Sequence, residues 1–113
     1  MATLAVQQLV RSGLNTTYAA ATGGGDKFAP SARTFLHCKN AGGGAITLTV
    51  VTPNTLIADV TIADLAVSVP AAGERMIGPF PYEHFANAAD GLADITYSGV
   101  TSVTLAAVQL SAP

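Results

Sequence analysis

Apolar and polar residues alternate along most of this chain. In "RTFLHCKN", Thr34, Leu36 and Cys38 take one side, and Phe35, His37 and Lys39 take the other. "AITLTVVT" sets Ile46, Leu48 and Val50 against Thr47, Thr49 and Val51. "LADITYS" sets Ala93, Ile95 and Tyr97 against Asp94 and Thr96, and "VTLAAVQL" sets Val103, Leu105 and Ala107 against Thr104, Ala106 and Val108. A period of two with β-branched enrichment is the strand signature. It predicts strands at 4–10, 15–20, 32–39, 45–52, 56–62, 65–69, 74–80, 92–98 and 102–110.

The breaks agree with this reading. "NAGGGA", "ATGGGD", "VPAAGE", "ADG" and "YSGVTS" carry the residues that turns need. Gly78 and Pro79 end a strand, because proline removes a ladder donor. Residues 81–89 form the one helical turn, with Pro81 at a first helical position and Tyr82 and Phe85 three apart. Short strands with turns at this spacing predict an all-β fold, an antiparallel β-sandwich of the jelly-roll kind. The expected core is Phe35 or Leu36, Ile46, Leu48, Val50, Val67, Ile77, Phe80, Ile95, Val103 and Leu105. Phe80 and Tyr82 are expected to plug its end.

Composition adds an expectation about assembly. The 113 residues make one domain, 1–113. Half are hydrophobic and only 11% are charged, against about 25% in an ordinary domain. A surface of Ala, Gly, Ser and Thr is poorly protected against self-association, which suits a protein that works in an assembly. The five cations Arg11, Lys27, Arg33, Lys39 and Arg75 are scattered and none follows Arg75. Phosphate neutralisation needs clustered cations, so no nucleic-acid partner is expected. The start "MATLAVQQLVRSG" lacks a charged leader and a long apolar core. No apolar run approaches the about 18 residues that span a bilayer, so no membrane partner is expected.

Candidate chemistry is sparse. Cys38 is the single cysteine, and it excludes an intramolecular disulfide. His37 and Cys38 are adjacent on a strand and point to opposite faces, so they cannot share a metal; no metal and no cofactor is expected. His37 reads as a strand-surface or interface residue. A Cys38–His84 nucleophile pair has nothing in the sequence to activate it. "GGGDK" lacks the phosphate-loop spacing, and Asp90 reads as a turn residue. Glu74 and Arg75 are adjacent on a strand, so they cannot pair with each other and each needs a separate partner. The N-terminal segment, residues 1–12, has two readings: an extended arm anchored by Leu4, Val6, Leu9 and Val10 that adds to a sheet edge elsewhere, or an ordinary first strand. The candidate assembly contacts are Leu4, Val6, Leu9, Arg11, Arg33, Glu74 and Arg75.

Several runs resemble a family of small tailed-bacteriophage virion proteins. They are Asp26 with Phe28, "RTFLHCKN" from Arg33 to Asn40, "VPAAGERMIGPF" from Val69 to Phe80, and "TYSGVTSVTLAAVQL" from Thr96 to Leu110. The family pattern has an aliphatic residue where Cys38 stands, which fits a buried, inert thiol. The resemblance implies capsid decoration, or cement. The implied partner is the major capsid protein, with homotrimers on the outer surface of the phage head, made in the host cytoplasm. It implies no enzyme activity and no catalytic residues. Two other classes stand beside it: a head–tail connector or tail structural protein, and a carbohydrate-binding jelly-roll module. The latter wants surface aromatics, and the chain has no Trp, three Tyr and four Phe.

Overall fold

The computed structural model describes residues 2–52, 56–57, 60–61, 63–87 and 90–110. The alternating segments form two five-stranded sheets packed face to face, as the pattern predicts. The first sheet has the order β1 (Ala2–Thr3), β4 (Asp26–Phe28), β11 (Ala93–Tyr97), β6 (Ile46–Val50), β9 (Leu65–Val69). The second has the order β10 (Gly73–Ile77), β5 (Thr34–Asn40), β12 (Val103–Gln109), β2 (Val6–Gln8), with β3 (Ala19–Ala20) also paired to β12. A small hairpin of β7 (Leu56–Ile57) and β8 (Val60–Thr61) lies in the chain between β6 and β9. Thr52 accompanies it: its N–H and hydroxyl both donate to Asp64 Oδ1 at 2.9 Å.

The sheets are not purely antiparallel. β1 runs parallel to β4 and β2 parallel to β12. Of the predicted strand 4–10 only Val6–Gln8 is strand; Ala2–Thr3, before it, was not predicted, and the two join the outer edges of different sheets. Leu4, between them, drops into the core at 7% exposure. β4 lies where the pattern predicts only a loop. The predicted strand 15–20 shrinks to Ala19–Ala20. The predicted strand 56–62 is a hairpin instead, with 58–59 and 62 outside the described residues. The helical turn is shorter than expected, Tyr82–Phe85, with 88–89 outside the description.

The core joins Phe28, Leu48, Val50, Val69, Ala93 and Ile95 of the first sheet to Leu36, Cys38, Ile77, Val103, Leu105 and Ala107 of the second. Burying each large side chain contributes roughly 1.5–3 kcal/mol. The choice between Phe35 and Leu36 falls to Leu36, which is fully buried, while Phe35 is half-buried on the outer face. Ile46 and Val67 pack on the core from its margin. Phe80 closes one end, edge-on to Phe28 at 5.1 Å and to Phe85 at 5.2 Å. Tyr82 does not help to plug it and is 58% exposed. Gly78 stops β10 at φ +149°, and a Cβ there would meet Phe35 Cβ at 2.8 Å.

Candidate functional site

The outward positions of β5 carry a cluster of polar contacts. His37 sits on the outer face of the second sheet, yet it is only 8% exposed, because Tyr18 comes over it. Tyr18 Oη lies 2.6 Å from His37 Nδ1, and His37 Nε2 lies 3.1 Å from Glu74 Oε1. A neutral imidazole with its proton on Nε2 satisfies both at once: the phenol donates to Nδ1 and Nε2–H donates to the carboxylate. Lys39, next along the same face, places its Nζ 3.9 Å from the Tyr18 ring centroid, a cation–π contact. Gln7 grips the covering segment from the side, donating to Thr17 O at 2.7 Å and accepting from Thr17 N–H at 2.8 Å. The arrangement latches residues before β3 onto the sheet. The imidazole is spent on two oxygens.

The charged groups of Glu74 and Arg75 do not pair, but the bond Arg75 makes is to the backbone of Glu74 itself rather than to a separate residue. The Glu74 carboxylate meets His37, whereas Arg75 Nη1 donates to the Glu74 carbonyl at 2.8 Å. Both side chains are exposed on β10, an edge strand.

Three other predicted contacts come together elsewhere. Leu9 N–H donates to Gln109 O at 2.8 Å, and Leu110 N–H donates to Arg33 O at 3.0 Å. These bonds bring the ends of β2 and β12 beside the start of β5. Leu9, Val10 and Leu110 are 39%, 44% and 47% exposed there. Arg33 and Arg11 are exposed with them, and among the described residues neither takes part in an ion pair. Exposed apolar side chains and exposed arginines thus share this end of the sandwich. Leu4 is in the core and Val6 packs on it, so both hold the N-terminal segment rather than face a partner. Leu110 and Met76 (68% exposed) belong to the exposed apolar set and were not predicted; their strand patterns give no sign of which terminal or edge positions stay bare.

The remaining polar groups are structural. Asp26 is fully buried and accepts from Tyr97 Oη at 2.7 Å, Thr22 N at 3.1 Å and Ala2 N at 3.2 Å. Burial alone would raise its pKa, but these hydrogen bonds outweigh it and hold the carboxyl below the ordinary value. The same burial and the Asp26 charge push the Tyr97 phenol up. Lys27 pairs with Asp90 at 2.6 Å on the surface. Burial pushes the Cys38 thiol up to about 11, so it is an unreactive thiol at neutral pH. His84 is half-buried on the helical turn. No cluster of three metal-ligating side chains occurs among the described residues. Among them no helix is long and apolar enough to cross a membrane. The depression beside the Gly42–Gly44 turn is lined by Ala45, Ile46, Ser98, Gly99 and Thr101, with no ionisable side chain.

No protein-family model, curated protein or solved structure matches this chain.

Proposed function

We propose that this domain is a structural protein of a phage virion that binds the outside of the assembled head and stabilises it, with the major capsid protein as its partner. The observation that carries the reading is the end surface of Leu9, Val10 and Leu110 beside Arg11 and Arg33. The family resemblance of the Arg33–Asn40, Val69–Phe80 and Thr96–Leu110 runs gives the reading its partner. Binding works by mass action. A ligand that binds the assembled shell and not its separated subunits lowers the free energy of the shell alone. Contacts that straddle neighbouring subunits do this best, because each opposes their separation. The two arginines suit carboxylates on the shell surface, and the three aliphatic side chains supply the desolvated centre.

The test mixes the purified protein with undecorated expanded heads, sediments them, and heats the pellet beside bare heads. Co-sedimentation with a raised disruption temperature is expected. The doubly reversed variant Arg11→Glu/Arg33→Glu should stay folded by circular dichroism and fail to sediment with heads. Failure of the unaltered protein to bind, or binding with no thermal effect, overturns the reading in favour of a connector or tail component.

A further inference from the structure

The two sheets end, on the same side of the sandwich, in strands of contrasting character: β9 in the first sheet and β10 in the second. Hydrogen-bond alternation shows which backbone groups each strand leaves open. Val51 N–H donates to Asp94 O and Ser98 N–H to Thr47 O, so the odd residues of β6 face β11. Its even residues Ile46, Leu48 and Val50 therefore face β9, where they meet Val69, Val67 and Leu65. Ala66 and Ser68 are left with N–H and C=O directed away from the sheet. Both are exposed, and no hydrogen bond from another described residue reaches these groups. The same alternation applies to β10. Ala41 N–H donates to Ser102 O, so β5 meets β10 through its even residues, and Glu74 and Met76 face outward.

The outward groups of β10 are guarded. Arg75 Nη1 covers the outward carbonyl of Glu74, and two charged side chains flank it. Such charges are how edge strands are kept from pairing. "LAVSV" has no charge and no proline. A second copy of the same strand fits it. Antiparallel pairing about a two-fold axis through Val67 sets Ala66 opposite Ser68 of the second copy, and Ser68 opposite its Ala66. All four outward backbone groups on each strand are then satisfied. Leu65, 37% exposed, gains Val69 of the second copy as its neighbour. In that register Asp64 faces Pro70 of the other chain, so no like charges meet, and Pro70, with no N–H, ends the ladder. We infer that β9 is a self-association edge, through which two copies of the free protein join their first sheets into one continuous sheet.

The contact is short, below the roughly 1,200 Å² of standard stable interfaces, so the dimer is weak and concentration-dependent. Sedimentation equilibrium of the unaltered protein up to millimolar concentration should show monomer and dimer. Ser68→Pro removes one outward donor and none of the bonds to β6, and should raise the dissociation constant at least about tenfold. Ala66→Lys, which adds a charge to the edge, should do the same. Met76→Pro, the matching change on β10, should leave the dimer unchanged. A protein that stays monomeric overturns the inference, as does a trimer or dimer insensitive to Ser68→Pro and Ala66→Lys, or an association lost with Met76→Pro.

Discussion

On one side of the sandwich the chain passes from the first sheet to the second between β1 and β2, with Leu4 turned into the core. On the other side it passes between β9 and β10 through Pro70. The chain also changes sheet at the β3–β4, β4–β5, β5–β6, β10–β11 and β11–β12 links; the two crossings named above are each held by one buried polar side chain, and the two chemistries are opposite. At the first crossing the loose backbone groups are N–H donors, that of Ala2 and that of Thr22 from the β3–β4 link, and Asp26 accepts both together with the Tyr97 hydroxyl. At the second the loose groups are mostly carbonyls. Asn40 Nδ2 points at Gly44 O at 2.8 Å and at Val69 O and Pro70 O, each at 3.3 Å, while its Oδ1 accepts from Gly42 N–H at 3.0 Å. Asn40 is 2% exposed and Asp26 fully buried, so neither site has water to substitute for a lost partner. A carboxylate suits a site of donors, and an amide suits a site of both kinds. One crossing therefore titrates and the other does not.

The largest effect is expected from removing the first crossing altogether. Deleting residues 2–10 takes Leu4 out of the core, strips β1 and β2 from the sheet edges and leaves Asp26 without Ala2. A domain of this size has only about 5–15 kcal/mol in hand. The deleted protein should lose its cooperative thermal transition. A folded, cooperative deletion product would show that the segment is an appendage, as an arm would be.

Exchanging the chemistries is the next largest change. Asn40→Asp replaces an amide donor with a carboxylate among three carbonyl oxygens. A buried charge without a partner costs about 3–5 kcal/mol. The new carboxyl should have a raised pKa in the folded state, because its charged form is repelled there. Its penalty is then full above that folded pKa and fades as pH falls through it. Chemical denaturation at pH values near 7 and near 4 should find the variant closer to the unaltered protein at the lower pH. A constant difference across that range would mean that the carboxylate turns out to solvent.

The hydrophobic pattern made the central strands legible and the crossings illegible. β5, β6 and β11 alternate because one face of each is the more deeply buried, and Leu36, Leu48, Ile95 and Leu105 lie where the period puts them, whereas β10 is exposed from Glu74 to Met76 and β12 is buried on both faces. β4 has three residues with Lys27 between Asp26 and Phe28, too few for a period to be read. Asp26 and Asn40 flank glycine-rich runs and read as loop residues, since a buried polar group leaves no mark in an apolar pattern. His37 reads as a surface residue for a related reason: the segment that covers it has no strand periodicity. Arg11 and Arg33 are far apart in sequence, and only the registers of β2 and β12 bring them to one end. That the charged groups of Glu74 and Arg75 do not pair, by contrast, follows from the alternation of a strand.

The smallest effect, and the one that sharpens the comparison most, is expected from Asp26→Asn. The amide keeps the shape but turns one NH2 group toward a site that already holds donors. Losing those bonds in a buried place costs about 1–3 kcal/mol near neutral pH. The pH dependence follows from the lowered pKa. A group held below its ordinary value of 3.8 in the folded state contributes stability that is fully present above that value. The contribution is lost as pH falls through the folded pKa. The unaltered protein should therefore weaken below about pH 4, and Asp26→Asn should weaken less steeply there, so that the two curves converge. Part of the acid slope belongs to Asp90, whose carboxyl Lys27 also holds low. That pair is on the surface and is screened by salt, whereas Asp26 is enclosed. Urea unfolding in high salt between about pH 2 and pH 7 isolates the Asp26 contribution. If the slope survives Asp26→Asn in high salt, the titrating pin is not Asp26, and the contrast between the two crossings fails.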